Sequence, residues 1–418
     1  MTQVSDSASP IDITQPKRYR LVIAFLVIVA HFSVGLNVFS ISPLLGDIIR
    51  DFGVNRSAAG LLIALAMLVF AGSGLPGGVV VTRLGIKWSY TLGWWLVSLT
   101  TLSFLAPNYI SLLVLRLFFG LGFALVLIAS GPLMLQWFRP KEVLVMNGLN
   151  TAALSLGIAL SIATAAPLAG IIGWLGSLSV FGAVGMVGAV AWVVLGKVAA
   201  DVVQTSGAMP FRLISQLLRN RQIMLLILAD GGAMVQYTAL TAWLPAFFSE
   251  VRGMSPTQAG FVTGLLPFIG VFAVLLGGFL PLRFGTPRSY FIWPGTLVAI
   301  GGPGSFLLGN PAGIYLALVM VSIGSWLYVP TLLSRTMELT GRDPERVAVV
   351  WGLLITFAGL GMFVAPILVG TLRDLTGGYL PGFLICSVAA LALLITGIGM
   401  PRTGANPENV LPGRRRLG

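Results

Sequence analysis

Three ionisable residues stand inside long apolar stretches of this sequence: His31, Arg116 and Asp230. An ionisable group in hydrocarbon is costly to keep, so each is a candidate functional residue. The chemistry they offer is proton movement and charge pairing, not bond making. His31 titrates near neutrality and suits proton coupling, or else it bonds a backbone carbonyl. Arg116 carries a planar guanidinium suited to two-point contact with an oxyanion, or else it organises helix packing. Asp230 precedes Gly231 and Gly232 and has no opposite charge three or four residues away, so no neighbour on its own helix pairs with it. Asn37, Asn147, Asn150, Gln236, Tyr237, Trp243, Trp326 and Tyr328 add polar and aromatic groups able to orient a small, partly apolar substrate. The aromatic members have a second reading as anchors at a membrane interface.

Other chemistries find little material. The chain has 1 His and 1 Cys, so no intrachain disulfide, thiolate cluster or metal site is expected, and Cys386 reads as a small apolar residue. No G-x-x-x-x-G-K-[ST] segment occurs, which argues against a nucleotide-driven pump. The sequence therefore predicts no cofactor and no enzyme activity.

The elements that hold these residues follow from composition. The chain is 56% hydrophobic and 9% charged, with a mean hydropathy of +0.95, whereas a soluble domain is roughly 25% charged. Its solvent is a lipid bilayer. Apolar stretches long enough to cross one lie at about 21–43, 58–81, 88–106, 109–134, 143–166, 174–195, 223–248, 259–281, 290–308, 314–333, 347–368 and 380–400. The expected fold is an all-α polytopic membrane protein of twelve transmembrane helices, six on each side of a more polar segment. Residues 1–196 form the first half with its tail, 197–222 the linker, and 223–418 the second half with its tail.

The two halves look like copies. Gly77, Gly78, Arg83, Gly85, Ser89 and Tyr90 face Gly277, Gly278, Arg283, Gly285, Ser289 and Tyr290 at an offset of 200. Upstream, Gly53, Ala59 and Gly60 face Gly253, Ala259 and Gly260. Lys87 faces Pro287, with Arg288 one place further on. A repeat made of an apolar span followed by a short basic turn is how a duplicated membrane bundle reads.

Charge gives the orientation. Only Arg50, Arg56, Arg252 and Arg373 fall on the side away from the termini, Arg116 lies within a span, and every other Lys and Arg falls on the side of the termini. By the positive-inside rule both termini are expected in the cytoplasm, with the bacterial inner membrane as the location. The apolar run after Lys17, Arg18 and Arg20 is too long for a signal-peptide core. The net charge of +12 is thus a topology signal spread over short segments, and no nucleic-acid partner is expected.

Six plus six spans with a Gly-rich basic turn after the second and the eighth resemble the major facilitator superfamily. Gly78, Arg83, Gly85 and Lys87 match its turn motif, and Gly278, Arg283 and Gly285 repeat it. Thr82 stands where the family has an acid. Leu112, Arg116, Gly120, Gly122 and Ala124 look like the family's fourth-helix pattern, while Ala166-Pro167…Gly170 and Ala365-Pro366…Gly370 look like degenerate antiporter patterns. The stretch from Trp137 to Gly157 is similar to the branch of cyanate and nitroimidazole carriers. The resemblance implies a secondary transporter of a small-molecule substrate by alternating access, with the turn motif in gating and helices one, four and seven around a central cavity. A small organic or inorganic anion with protons as the coupling ion is the first reading. Export of a drug or metabolite by antiport is the second, and a transport-inactive sensor or assembly partner the third.

Overall fold

The computed structural model describes residues 19–74, 76–198, 211–284, 286–341 and 343–401. The described residues contain no strand, and helices account for nearly all of them. In chain order these are α1 (Tyr19–Val38), α2 (Leu45–Phe52), α3 (Arg56–Ser73), α4 (Gly77–Leu84), α5 (Ile86–Ser98), α6 (Tyr109–Trp137) and α7 (Pro140–Leu195). They continue as α8 (Phe211–Arg219), α9 (Arg221–Glu250), α10 (Pro256–Phe279), α11 (Ser289–Leu307), α12 (Pro311–Trp326), α13 (Val329–Leu339), α14 (Pro344–Thr376) and α15 (Leu380–Gly399).

Nine segments among the described residues are long and apolar enough to span a membrane. One of them, Val145–Leu195, holds two crossings, because α7 breaks at Gly173 (φ 77, ψ 160). Only glycine adopts that backbone without strain, so a continuous helical stretch reverses there. The 3-10 turn Leu99–Leu105 extends α5 into a further crossing, and α11 supplies another whose hydropathy is diluted by Pro294, Pro303 and several glycines. Twelve crossings result, as the sequence predicts. Helix starts follow the local chemistry: Asn55, Asn108, Asn220, Ser255 and Asn310 each accept a backbone N–H of the first turn.

The repeat survives folding. Gly53 (φ 61) and Gly253 (φ 67) turn the chain at equivalent places, as do Gly173 (φ 77) and Gly377 (φ 74). Leu21, Phe25, Val187, Val194, Phe279 and Val388 are each well over half exposed, an apolar exterior that belongs against lipid tails. Cys386 is buried in α15, as expected of a small apolar residue.

The halves meet where α3 packs on α14 and the first part of α7 packs on α10. Small residues allow the close approach: a Cβ added at Gly60 would lie 2.7 Å from the Pro366 carbonyl oxygen. Pro366 belongs to the degenerate antiporter pattern, and its carbonyl also accepts the Trp243 indole N–H at 2.9 Å. Leu213, Ile214, Leu217 and Leu218 of α8 pack against the core of α9, α11, α13, α14 and α15.

Candidate functional site

A cavity among the described residues has a volume of about 250 Å³. Asp230 and Met234 of α9 line it, with Trp326 at the end of α12 and Trp351 and Met362 of α14. Phe70 of α3 contributes from the first half, so the cavity touches both copies of the repeat. Its one ionisable lining residue, among those described, is Asp230.

Asp230 is half-buried and accepts a hydrogen bond from the Tyr328 hydroxyl at 2.7 Å. It makes no ion pair among the described residues. Tyr328 is fully buried and packs its ring against Phe291 at 6.1 Å. It also sits in the break between α12 and α13, where Leu327 and Tyr328 separate Trp326 from Val329. The residue that bonds the carboxylate therefore joins two segments that both line the cavity.

Trp326 stands edge-on to Tyr237, with centroids 5.4 Å apart and planes at 87°. The Trp326 Nε1 and the Tyr237 hydroxyl are both buried, and the indole nitrogen lies against Gly270 of α10, where an added Cβ would be 2.8 Å from it. Trp351, by contrast, donates its indole N–H to Thr336 Oγ1 at 3.1 Å. Gln236 also has an unpartnered side-chain amide, but it lies against Gly302 of α11, where an added Cβ would be 1.9 Å from its Nε2. Asn150 is buried with both amide atoms unpartnered, whereas Asn147 is exposed.

The structure does not bring His31 or Arg116 to this cavity. His31 is buried, with Nδ1 2.9 Å from the Val27 carbonyl one turn back. Arg116 is 2% exposed and donates from all three guanidinium nitrogens to backbone carbonyls: Nε to Leu62 at 2.9 Å, Nη1 to Asn37 at 2.7 Å and Nη2 to Val38 at 2.9 Å. Asn37 and Val38 end α1, where carbonyls lack helical partners and the helix dipole is negative. The cation thus ties α6 to α1 and α3. Asn37 extends the tie, donating to the Ser33 and Phe181 carbonyls and accepting from Thr100. Arg116 reaches the cavity only through stacked rings: its Cζ lies 4.5 Å from the Phe119 centroid, Phe119 stacks on Phe123, and Phe123 stacks on Phe70 at 4.5 Å.

The basic turns are more open than a latch. Gly85 has φ 79 and makes the sharp turn into α5, Gly78 and Gly278 face open space, and Arg83, Lys87 and Arg283 are exposed. Arg83 and Lys87 form no ion pair among the described residues, in keeping with Thr82 at the place of the family's acid. Gly285 lies outside the described residues. Arg288 donates to the Gly397 and Ile398 carbonyls and so closes the end of α15.

Sequence reasoning missed a cross-half cluster at the end of the bundle away from the termini. Glu250 accepts from Arg56 at 3.0 Å and from Arg373 at 3.4 Å. Asp374, at the end of α14, accepts from the backbone N–H of Arg56 and of Ser57 at 3.3 and 3.0 Å, and so caps α3 from the other half. About two turns before Glu250 on α9, Ser42 Oγ of the first half donates to the Thr241 and Ala242 carbonyls, a second tie between the halves. With Cys386→Ala as background, a Ser42→Cys thiol should react slowly with a polar maleimide in the purified protein. Adding Glu250→Gln should raise that rate about fivefold, since partly exposed ion pairs hold by about 1 kcal/mol. An unchanged rate would mean that the cluster does not hold this end shut.

The sequence model of the Major Facilitator Superfamily matches residues 27–366. The chain belongs to the major facilitator superfamily. It is a multi-pass membrane transporter of a small solute, not an enzyme. The nitrite extrusion protein of Bacillus subtilis is 25% identical to it over 86% of this chain and 89% of its own length. The hexuronate transporter of the same species is 23% identical over 86% of this chain and 90% of its own. Among solved structures, a bacterial homologue of the human lysosomal transporter Spinster superposes with a TM-score of 0.71 at 18% identity, covering 92% of this chain and 95% of that one.

Proposed function

We propose that the protein carries a small anion together with protons, by rocking of residues 1–196 against residues 223–418 about the cavity, with 197–222 as the connecting segment. The observation that carries this reading is the solitary Asp230. An anion beside an ionised carboxylate is repelled, and protonation of Asp230 removes the repulsion and supplies an O–H donor. Proton and anion therefore bind cooperatively, and loss of the proton on the proton-poor side expels both. That relatives include carriers named for nitrite and hexuronate supports the anionic passenger.

The test is solute-driven proton movement in proteoliposomes loaded with a pH-sensitive dye. Entry of the transported anion should acidify the lumen. A cavity with a carboxylate and no cation also suits a lipophilic amine leaving in exchange for protons, and that exporter would instead couple proton flux to amine counterflow. A folded protein that moves neither solute would be a sensor or assembly partner.

In this reading the protein sits in the bacterial inner membrane with both termini cytoplasmic, which the skew of basic residues supports. Reporter fusions after Lys17 and near Arg414 should both report the cytoplasm, and a fusion at Arg252 the opposite side. A cytoplasmic signal at Arg252 would overturn the orientation.

A further inference from the structure

We infer that the passenger is a weak monocarboxylic acid with an apolar, planar body, and that mineral oxyanions and sugar acids are poor ligands of this cavity. The inference rests on the proposed proton-coupled anion transport and narrows its substrate.

The polar complement of the cavity is small. Asp230 supplies one carboxyl group, already bonded on one oxygen by Tyr328, while Trp326 lines the cavity with its carbon framework and keeps its Nε1 buried against Gly270 of α10. The indole N–H of Trp351 is bonded to Thr336, so the cavity meets mainly its carbon framework. Phe70, Met234 and Met362 offer rings and thioethers.

Each class of anion meets this lining differently. A sugar acid would bring several hydroxyls, and each one left without a partner costs about 1–3 kcal/mol. The anion of a strong mineral acid binds a proton too weakly to share the one on Asp230, and it brings no apolar surface to set against its own desolvation. The intramembrane cation that the sequence offers, Arg116, is bonded at every nitrogen to backbone carbonyls. A carboxylic acid has an intrinsic proton affinity close to that of an aspartate. One proton can then be shared between the two carboxyl groups, so the pair carries a single charge. A flat apolar body then fills the space among the aromatic and methionine side chains.

The test is ligand binding to the purified full-length protein, read as a shift in melting temperature and as displacement of radiolabelled benzoate. Benzoate, nitrate, glucuronate and tetraphenylphosphonium are compared at about pH 5.5 and pH 8. Benzoate should bind at least tenfold more tightly than nitrate or glucuronate, and more tightly at the lower pH. Trp326→Ala should weaken benzoate severalfold, and Trp326→Phe, which keeps an apolar ring, should weaken it less. Asp230→Asn should remove the pH dependence of binding. Nitrate or glucuronate binding as well as benzoate would overturn the inference while leaving proton-coupled anion transport standing. Binding of tetraphenylphosphonium alone would overturn both readings, and a protein that binds none of the four would overturn the inference.

Discussion

Replacing Arg116 by glutamine should leave little folded protein. Three backbone carbonyls, two of them at the end of α1, accept from its guanidinium in a site that is 2% exposed. Glutamine would satisfy at most part of this set, and each buried carbonyl left without a donor costs about 1–3 kcal/mol. That is a large fraction of a typical stability margin. Arg116→Lys keeps the charge but not the planar fork, so it should also lower the melting temperature, by less. Ligand affinity in the folded fraction of either variant should match wild type, because the guanidinium is bonded to backbone and not aimed at the cavity. Melting curves and affinities measured on the same preparations check this. A Lys variant with unchanged stability and weakened anion binding would return Arg116 to the substrate site.

Asp230→Asn should abolish accumulation while sparing exchange. With one proton moved per solute, an imposed gradient of one pH unit sustains about tenfold accumulation. Asparagine keeps the shape and still accepts from Tyr328, but it cannot release a proton. Accumulation should therefore fall to equilibrium across the membrane, and counterflow of labelled against unlabelled solute should persist. Proteoliposome assays of both modes decide it. Uphill accumulation by the variant equal to wild type would assign the carboxylate a structural role.

The sequence was most legible where the bilayer constrains it. Apolar length gave the twelve crossings, since a backbone in hydrocarbon has to satisfy its own hydrogen bonds as helix. The offset of 200 between copies gave the repeat, and Gly53 and Gly253 keep left-handed turns at both places. Asp230 was visible as an acid without a partner on its own helix.

Its role beside Arg116 and His31 was less legible. All three carry charge or titrate within apolar spans, and the sequence ranks them alike. Only packing separates them: the end of α1 and Leu62 of α3 claim Arg116, the preceding turn claims His31, and the cavity keeps Asp230. Tyr328 and Asp230 lie 98 residues apart in sequence and 2.7 Å apart in space. Arg56 and Glu250 lie 194 residues apart and meet at 3.0 Å. The sequence by itself determined the solvent, the number of crossings, the duplication and the family, because hydrophobicity, backbone satisfaction and turn geometry act over a few neighbouring residues. The tertiary structure alone decided which polar group is bonded and which is left facing the cavity, because that depends on the close approach of helices distant in the chain.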